Sequence, residues 1–267
     1  MPTTNIRGLR MYYELSGQGH PVVFISGITL DHSIWKAFQV PEFTAAGFSC
    51  LVFDNRDVGQ TGESPTGPYA IGQFVDDTVG LLDQLGLESP HIVGYSMGGM
   101  IAQELALKLP NRARSLTLLA TVPKLDAYGK ALIESLKAAK RNLAPAEFSW
   151  TLGLRAFTYR FFNNPDAVKM WMDRVIANPY PQSVAGFIRQ ADAAIAHDTL
   201  SRLARITMPT HVIVGEEDML TPPRHARTLA GGISGAVLTT ISEGGHALPT
   251  EKAAEFNRVA LGFLAQH

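Results

Sequence analysis

The sequence predicts an α/β fold in which a mostly parallel sheet is flanked by helices and carries an inserted helical cap. Short apolar runs alternate with stretches of helical apolar spacing over residues 1–122 and again over residues 204–267. Between them, residues 123–203 contain helical segments punctuated by prolines and no strand-like run. We therefore expect 1–122 and 204–267 to form one α/β core and 123–203 to form a helical lid.

The elements of the first core stretch follow from apolar runs and from their spacing. The run 91–95 is short, apolar and β-branched, as is typical of a strand buried in a parallel sheet. The stretch 71–85 places its apolar residues on one helical face, and 97–109 has helical spacing that stops at Pro110. The predicted elements are, in order, strands at 9–15, 21–25 and 48–53, a helix at 71–85, a strand at 91–95, a helix at 97–109 and a strand at 115–120.

The second core stretch repeats this alternation. Residues 211–214 and 237–241 predict two further buried strands. Residues 253–264 predict a closing amphipathic helix, with Phe256, Val259, Ala260 and Phe263 facing inward.

The composition and the net charge limit the kinds of binding partner and the cellular location that we expect for this chain. The 46% hydrophobic content is enough for a sizeable core, and a net charge of −1 gives no attraction to nucleic acid or to an acidic membrane surface. The single cysteine, Cys50, offers neither a disulfide framework nor a zinc cluster, and its apolar surroundings predict a buried strand position. The polar N-terminus has no signal-like apolar region and no stretch has the length of a membrane span, so we expect a cytoplasmic protein. A homodimer is left open.

One motif indicates the chemistry. Ser96 stands in the pattern Gly94-Tyr-Ser-Met-Gly98, between the strand 91–95 and the helix that starts at Met97. G-x-S-x-G at a strand-to-helix junction is typical of a nucleophile elbow, a sharp turn that exposes a serine hydroxyl above the sheet. The two small residues allow the strand and the helix to approach closely. Ser96 is therefore the candidate nucleophile.

A serine hydroxyl needs a base, and the base needs an orienting acid. Of the eight histidines, His246 follows a Gly-Gly pair directly after the last predicted strand, where a loop would project it over the carboxyl edge of the sheet. The preceding strand ends in Gly-Glu-Glu-Asp, from which we choose Asp218, with Glu217 as the alternative acid. The resulting chain order is Ser96, Asp218, His246, as in the G-x-S-x-G hydrolases.

Two backbone N–H groups are needed to hold an oxyanion. Met97 N–H, beside the serine, supplies one. The loop after the strand 21–25 supplies the other, and there Gly27 allows a tight approach and Ile28 N–H is the candidate donor.

With these motifs, nearly the whole chain resembles the α/β-hydrolase superfamily. The matching pieces are S-G-I-x6-W at 26–35, D-N-R-D-V-G-Q-T-G-E-S at 54–64, G-Y-S-M-G-G, G-E-E-D and G-G-H. The resemblance implies an eight-stranded sheet with a cap, and the triad. Within the superfamily the chain is similar to the group of enol-lactonases, small-molecule methylesterases and cofactor-free haloperoxidases.

Two positions depart from the family pattern. Ser26 stands where many members have histidine, and Asp57 replaces the first glycine of D-x-R-G-x-G-x-S. The R-D-x-G variant resembles methylesterase-like relatives and favours ester hydrolysis. Arg56 and Asp57 are interpreted mainly as a pair that orders its own loop, with contact to a substrate carboxylate as the alternative.

The expected reaction is acyl transfer to water from a small, largely apolar ester or lactone, with no metal and no cofactor. Aromatic and methionine side chains in the cap suggest an apolar pocket, and we assign Trp171 and Gly27 to substrate binding. A C–C bond hydrolase or a perhydrolase with the same triad remains an alternative, as does, less favoured, a non-catalytic receptor. A carboxylate substrate would need a cationic anchor, for which the candidates are Arg141, Arg155, Arg160, Arg174 and Arg189.

Overall fold

A single eight-stranded sheet forms the centre of the computed structural model, which describes residues 2–63 and 67–267. Its strands are β1 (Thr3–Ile6), β2 (Leu9–Gly17), β3 (Pro21–Ile25), β4 (Ser49–Phe53), β5 (His91–Tyr95), β6 (Ser115–Leu119), β7 (Thr210–Gly215) and β8 (Val237–Ile241). They lie in the order β1-β2-β4-β3-β5-β6-β7-β8. The β1–β2 and β2–β4 pairs are antiparallel and the others are parallel. The prediction of an α/β fold with a mostly parallel, eight-stranded sheet is confirmed.

Helices cover both faces of this sheet. In the described residues they are α1 (Ser33–Lys36), α2 (Gln39–Ala45), α3 (Ile71–Gln84), α4 (Met97–Lys108), α5 (Ala127–Asn142), α6 (Pro145–Ala156), α7 (Tyr159–Phe162), α8 (Pro165–Ala177), α9 (Val184–Ala196), a 3₁₀ helix (Leu200–Arg205), α10 (Pro223–Gly232), α11 (Leu248–Glu251) and α12 (Ala253–Leu264). None of them combines the length and the apolar character that crossing a membrane requires.

Two apolar layers sandwich the sheet. One contains side chains of α3, α4 and α10, such as Phe74 and Ile101, and the other contains side chains of α2 and α12, such as Phe43 and Phe256. Cys50 is fully buried in the second layer, and burial raises the pKa of its thiol to about 12, so it is a packing residue as expected. Burial on both faces fixes the central strands and therefore the positions of the loops at their carboxyl ends.

The helical segment between β6 and β7 contains α5 to α9. Its two ends meet where Lys124 and Asp198 form an isolated antiparallel bridge and an ion pair, and Thr199 N–H donates to Pro123 O at 2.8 Å. A small apolar cluster of its own, which includes Phe148 and Phe187, packs α5, α6 and α9 together. The segment therefore has internal packing, and its two ends lie side by side where it joins the core.

The structure corrects three details of the predicted elements. β1 was not expected, because its sequence Thr-Thr-Asn-Ile is polar; it is held by antiparallel backbone pairing to β2. β2 runs on to Gly17. The strand at 237–241 was expected to be buried, but it is an edge strand in which only Ile241 is buried.

Candidate active site

The turn between β5 and α4 has the geometry of a nucleophile elbow. Ser96 adopts φ 55° and ψ −117°, a conformation that side chains rarely take and that persists only where the surroundings enforce it. A Cβ on Gly98 would overlap the carbonyl oxygen of Ile25, and one on Gly94 would overlap that of Gly98. Both glycines are thus required for the contact between the strands and the helix that forces the Ser96 turn.

His246 and Asp218 lie together in the loops after β8 and β7. The distance from His246 Nδ1 to Asp218 Oδ2 is 2.9 Å, and both residues are buried. Asp218 also accepts hydrogen bonds from the N–H groups of Leu220 and Thr221 and from the Thr221 hydroxyl. Burial alone would raise the pKa of Asp218, but the charge of His246 and these hydrogen bonds outweigh it and lower the pKa. The carboxylate is therefore ionised and fixed, as an orienting acid must be.

Tyr95 connects this pair to the nucleophile turn. Its hydroxyl donates to His246 O at 3.1 Å, and the two rings lie 5.2 Å apart. Since Ser96 follows Tyr95 directly, the histidine loop lies over the turn. In the described residues 2–63 and 67–267, Ser96 Oγ and His246 are not joined by a hydrogen bond. A hydrogen bond between nucleophile and base is often long or poorly aligned in an unliganded site and tightens only when substrate is bound.

The oxyanion loop, which we define as residues 26–30 after β3, lies against the serine. A Cβ placed on Gly27 would lie 3.0 Å from Ser96 Cβ and 3.5 Å from Ser96 Oγ. In the described part of the chain, neither Ile28 N–H nor Met97 N–H donates a hydrogen bond. The two donors proposed from the sequence are thus unoccupied and flank the serine turn.

Ser26 has a structural use in this protein. Its hydroxyl accepts a hydrogen bond from Trp35 Nε1 at 2.9 Å, and its carbonyl accepts one from Asn55 Nδ2 at 3.0 Å. These bonds tie the first residue of the oxyanion loop to α1 and to the loop after β4. The serine that departs from the family pattern therefore anchors this loop.

Arg56 and Asp57 do not pair within their own loop, which corrects that part of the interpretation. Arg56 makes a bidentate, buried ion pair with Asp77 of α3, with two N···O distances of 2.7 Å. Asp57 Oδ2 lies 2.7 Å from Arg189 Nε of α9, and Asp57 Oδ1 accepts from the Tyr69 hydroxyl. The loop after β4 is thus fastened to one helix of the core and one of the inserted segment. Ser64, the last residue of the motif 54–64, lies outside the described residues.

Trp171 packs inside an aromatic cluster of the inserted segment. Its ring lies 5.4 Å from that of Trp150 and 5.2 Å from that of Phe157, measured between centroids. The residue before Phe157, Ala156, accepts a hydrogen bond from Ala247 N at 2.9 Å, so the cluster borders the loop that carries His246. Direct contact of Trp171 with a substrate remains a prediction.

Of the five arginines that were candidates to bind a substrate carboxylate, four already make hydrogen bonds or ion pairs within the protein. Arg160 pairs with Glu217 and Glu243, so that Glu217, the alternative acid, is turned away toward the inserted segment. The other pairings are those of Arg155 with Thr151 O, Arg174 with the Ser33 hydroxyl and Arg189 with Asp57. Arg174 reaches the core next to the oxyanion loop and has no ion-pair partner in the described residues.

One group of side chains has the composition of a metal site. Asp31, His32 and Asp54 offer ligand atoms within 4.8 Å of one another, and they are the only such group in the part of the chain that the structure describes. Asp54 Oδ1, however, already accepts from His32 Nδ1 and His32 N, and Asp54 Oδ2 accepts from Gln60 N. Both Asp54 oxygens and His32 Nδ1 are therefore used within the protein, and the group holds α1 against the loop after β4.

Sequence reasoning missed two residues next to the site. Thr221 contacts both Asp218 and His246 Nδ1, the latter at 3.2 Å, and Gln190 of α9 reaches the oxyanion loop. Thr221 was detectable as a hydroxyl in the same loop as the acid. Gln190 had no local signal, because it lies 161 positions from its partner Thr29.

Comparisons with known proteins identify the fold family of the chain. A family model described as "alpha/beta hydrolase fold" matches residues 20–253. The "Putative non-heme bromoperoxidase BpoC" of Mycobacterium tuberculosis is 33% identical over 261 residues, which are 96% of this chain and 98% of that protein. Its crystal structure superposes with a TM-score of 0.88 at 30% identity, covering 96% of each chain.

Two further relatives carry different activities in their names. The "Putative carbamate hydrolase RutD" of Azorhizobium caulinodans is 27% identical over 266 residues, covering 100% of this chain and 99% of that protein. The crystal structure of the enol-lactonase from Burkholderia xenovorans LB400 has a TM-score of 0.89 at 25% identity, with 99% of this chain and 100% of that chain covered.

Proposed function

The chain belongs to the α/β-hydrolase fold family, and within this family of enzymes we propose that it is a serine hydrolase acting on esters or lactones. The substrate is a carboxylic ester or lactone of a small, largely apolar molecule. The observation that carries the proposal is the buried His246–Asp218 pair, 2.9 Å apart, beside a serine held in a strained turn. The similarity to an enol-lactonase supports a cyclic or linear ester as the substrate class.

In the proposed reaction, Ser96 Oγ attacks the carbonyl carbon and His246 Nε2 takes the hydroxyl proton. The Asp218 carboxylate holds the ring through Nδ1–H and stabilises the imidazolium that forms. The charge that develops on the carbonyl oxygen is held by the Ile28 and Met97 N–H groups, each worth about 2.7–4 kcal/mol in the transition state. These groups therefore account for attack, proton transfer and charge stabilisation without another reactant.

The second half of the reaction returns the enzyme to its starting state. The C–O bond to the leaving alcohol breaks as His246 returns the proton to that oxygen, which leaves an acyl group on Ser96. In a lactone the leaving oxygen stays attached to the acyl group, so one product is formed. His246 then takes a proton from water as the water oxygen attacks the acyl-enzyme, and it gives that proton to Ser96 Oγ as the acyl bond breaks and the acid is released.

We assign the inserted segment the role of a cap, with residues 123–203 as its bounds. Three contacts support this assignment: Ala156 O with Ala247 N, Thr158 N with Glu251, and Gln190 with Thr29 N all join the segment to loops around the site. Gly27 would line the acyl side of the pocket and Trp171 its aromatic wall. Arg174 is the arginine best placed to meet a substrate carboxylate, because it ends at Ser33 beside the oxyanion loop.

The experiment is steady-state hydrolysis of p-nitrophenyl esters from acetate to octanoate, together with a series of small lactones, by the native protein and Ser96→Ala. We expect turnover by the native protein and a loss of about a thousandfold or more in the variant. A serine-directed fluorophosphonate should label native protein and not Ser96→Ala. If neither ester nor lactone is cleaved, the proposal is wrong, and C–C bond hydrolysis or a receptor role replaces it.

Perhydrolysis is a second candidate, favoured by the similarity to a protein named as a bromoperoxidase. Hydrogen peroxide would replace water in attacking the same acyl-enzyme, giving a peracid and free Ser96. Peracid formation from acetate and peroxide, followed by bromide-dependent bromination of a dione, is the test. Bromination by native protein that is lost in Ser96→Ala would support it, and bromination that survives in the variant would exclude this route.

A further inference from the structure

Gln190 is a fully buried polar residue of α9 whose carboxamide makes three hydrogen bonds. Its Oε1 accepts from Thr29 N at 3.1 Å and from Gln182 Nε2 at 2.9 Å. Its Nε2 donates to Arg56 O at 2.8 Å. The side chain thus joins three separate segments: the oxyanion loop, the loop after β4 and the segment that leads into α9.

The contact with Thr29 determines which N–H groups remain free in the oxyanion loop. Thr29 has a positive φ of 65°, which costs energy for a β-branched residue and persists only where contacts enforce it. Thr29 N–H donates its hydrogen bond to Gln190 Oε1. Within the described residues 2–63 and 67–267, Ile28 N–H donates no hydrogen bond. Peptide N–H direction follows from the neighbouring dihedral angles, so fixing the Thr29 amide also restricts the Ile28 amide.

The position of the Gln190 carboxamide is fixed in turn by contacts between α9 and the loop after β4. The preceding residue, Arg189, pairs with Asp57 at 2.7 Å, and Gly186 of the same helix lies against the Asp57 side chain. α9 is therefore docked on the loop after β4 at two positions along the helix. Gln190 cannot shift without breaking this docking.

From this arrangement we propose that Gln190 is a positioning residue that orients the oxyanion loop from the inserted segment. It occupies Thr29 N–H and so leaves Ile28 N–H as the donor that meets the substrate oxygen. The inference rests on the proposed function, because it assigns the loop a part in acyl transfer. Its consequence is that the cap contributes to charge stabilisation and does not only cover the site.

The test compares Gln190→Leu with Gln103→Leu. Gln103 is a matched control: it is also fully buried, and it also makes three hydrogen bonds, to Gly99 O, Val122 O and the Thr199 hydroxyl. Both variants lose a carboxamide of the same size and number of bonds, but only one of these carboxamides touches the oxyanion loop. Thermal unfolding first shows that both variants are folded and how far each is destabilised.

We expect Gln190→Leu to lower kcat for the best p-nitrophenyl ester about 10- to 100-fold, with KM changed by less than about threefold, because a misplaced donor weakens only the transition state. Affinity for an alkyl boronic acid, which forms a tetrahedral adduct on the serine, should fall in proportion to kcat/KM. Gln103→Leu should keep kcat and boronate affinity within about threefold of native. Equal effects of the two variants on kcat, or a change in KM alone, would overturn the proposal.

Hydrogen exchange at the Thr29 amide separates this inference from the proposed function. Exchange should be slow in native protein and in Gln103→Leu, and at least about tenfold faster in Gln190→Leu. If the native protein cleaves no ester or lactone, the proposed function fails, and with it the oxyanion role assigned to Gln190. Unchanged Thr29 exchange in Gln190→Leu, in an active enzyme, overturns the positioning inference alone.

Discussion

Asp57 Oδ2 lies 2.7 Å from Arg189 Nε, so the residue that replaces a common glycine of this family forms an ion pair with the inserted segment. Asp57 has a positive φ of 65°, as a glycine in its place would, and its side chain is fully buried. Hydrogen bonding to Asp57 outweighs burial and raises the pKa of Arg189 further above its already high value. The departure from the family pattern thus adds an attachment point between the core and the inserted segment.

Asp57→Asn should therefore weaken the docking of α9. The variant keeps the shape of the side chain but removes its charge, and we expect a loss of about 1.5–3 kcal/mol in the free energy of unfolding. Urea unfolding of Asp57→Asn, Arg189→Gln and the double variant measures the coupling. Lys169→Gln, which breaks an exposed pair on α8, is the control and should cost less than about 0.5 kcal/mol. Additive effects of Asp57→Asn and Arg189→Gln would show that the pair contributes nothing.

Asp218→Asn and Glu217→Gln should separate the two candidate acids. The Asp218→Asn variant would lose the charge that stabilises the His246 imidazolium and would favour the wrong ring tautomer, so kcat should fall about 10⁴-fold. Glu217→Gln removes only the exposed contact with Arg160 and should leave ester turnover near native. Steady-state kinetics of both variants decides, and a larger loss in Glu217→Gln would reverse the assignment.

His197→Leu should reduce the acid sensitivity of the fold. Burial lowers the pKa of His197 to about 4, and both ring nitrogens lack a hydrogen-bond partner. In the unfolded chain the same ring takes up a proton near a pH of about 6.5. Between about pH 6.5 and 4 the unfolded state therefore binds more protons, and stability falls as the pH falls.

Replacing the His197 ring by leucine removes one of the protons that the chain takes up when it unfolds at acid pH. The slope of unfolding free energy against pH, between about pH 6 and 4.5, should decrease by up to about 1.4 kcal/mol per pH unit, while stability near neutral pH changes little. Urea unfolding across this range is the measurement. Burial also lowers the pKa of His91 and His211 to about 4, so a residual slope is expected. An unchanged slope would mean that His197 does not titrate as described.

Gly98→Ala should prevent stable folding, because the new Cβ would overlap the Ile25 carbonyl oxygen and neither backbone can yield. A loss above about 4 kcal/mol, or recovery only in inclusion bodies, is expected. Gly262→Ala is the control. Its Cβ meets nothing within 4 Å in α12, and the change should add about 0.4–1 kcal/mol by restricting the unfolded chain. Thermal unfolding of a folded, near-native Gly98→Ala would contradict the packing argument.

The sequence predicted the bounds of those helices and strands whose apolar spacing matches the face that is buried in the structure. β3, β5 and α12 lie at the predicted residues, because their apolar spacing reports directly which face meets the core. β1 escaped prediction because it is held by backbone pairing and its side chains carry no pattern. β8 was placed correctly but given the wrong burial, since position in the strand order is set by distant partners.

At the candidate site, too, local motifs could be predicted from the sequence and contacts between distant segments could not. Ser96, Asp218, His246 and the oxyanion loop follow strands in sequence, so motif and strand order were enough to group them, and whether they form the catalytic site stays a prediction. Asp57 pairs with Arg189, 132 positions away, and Gln190 accepts a hydrogen bond from Thr29, 161 positions away. Such contacts depend on how the inserted segment docks, for which the sequence has no periodic signal.

The contact between the Tyr95 hydroxyl and His246 O spans 151 positions, and this spacing has a consequence for how the protein matures. The serine turn belongs to the first half of the chain, whereas Asp218 and His246 lie in loops that follow the last two strands. During synthesis, the early strands and α4 can therefore assemble before Asp218 and His246 have been added to the chain. Non-local pairing of this kind is slow. Recovery of ester turnover should lag behind the return of helical signal, which would make activity a reporter of the final docking step.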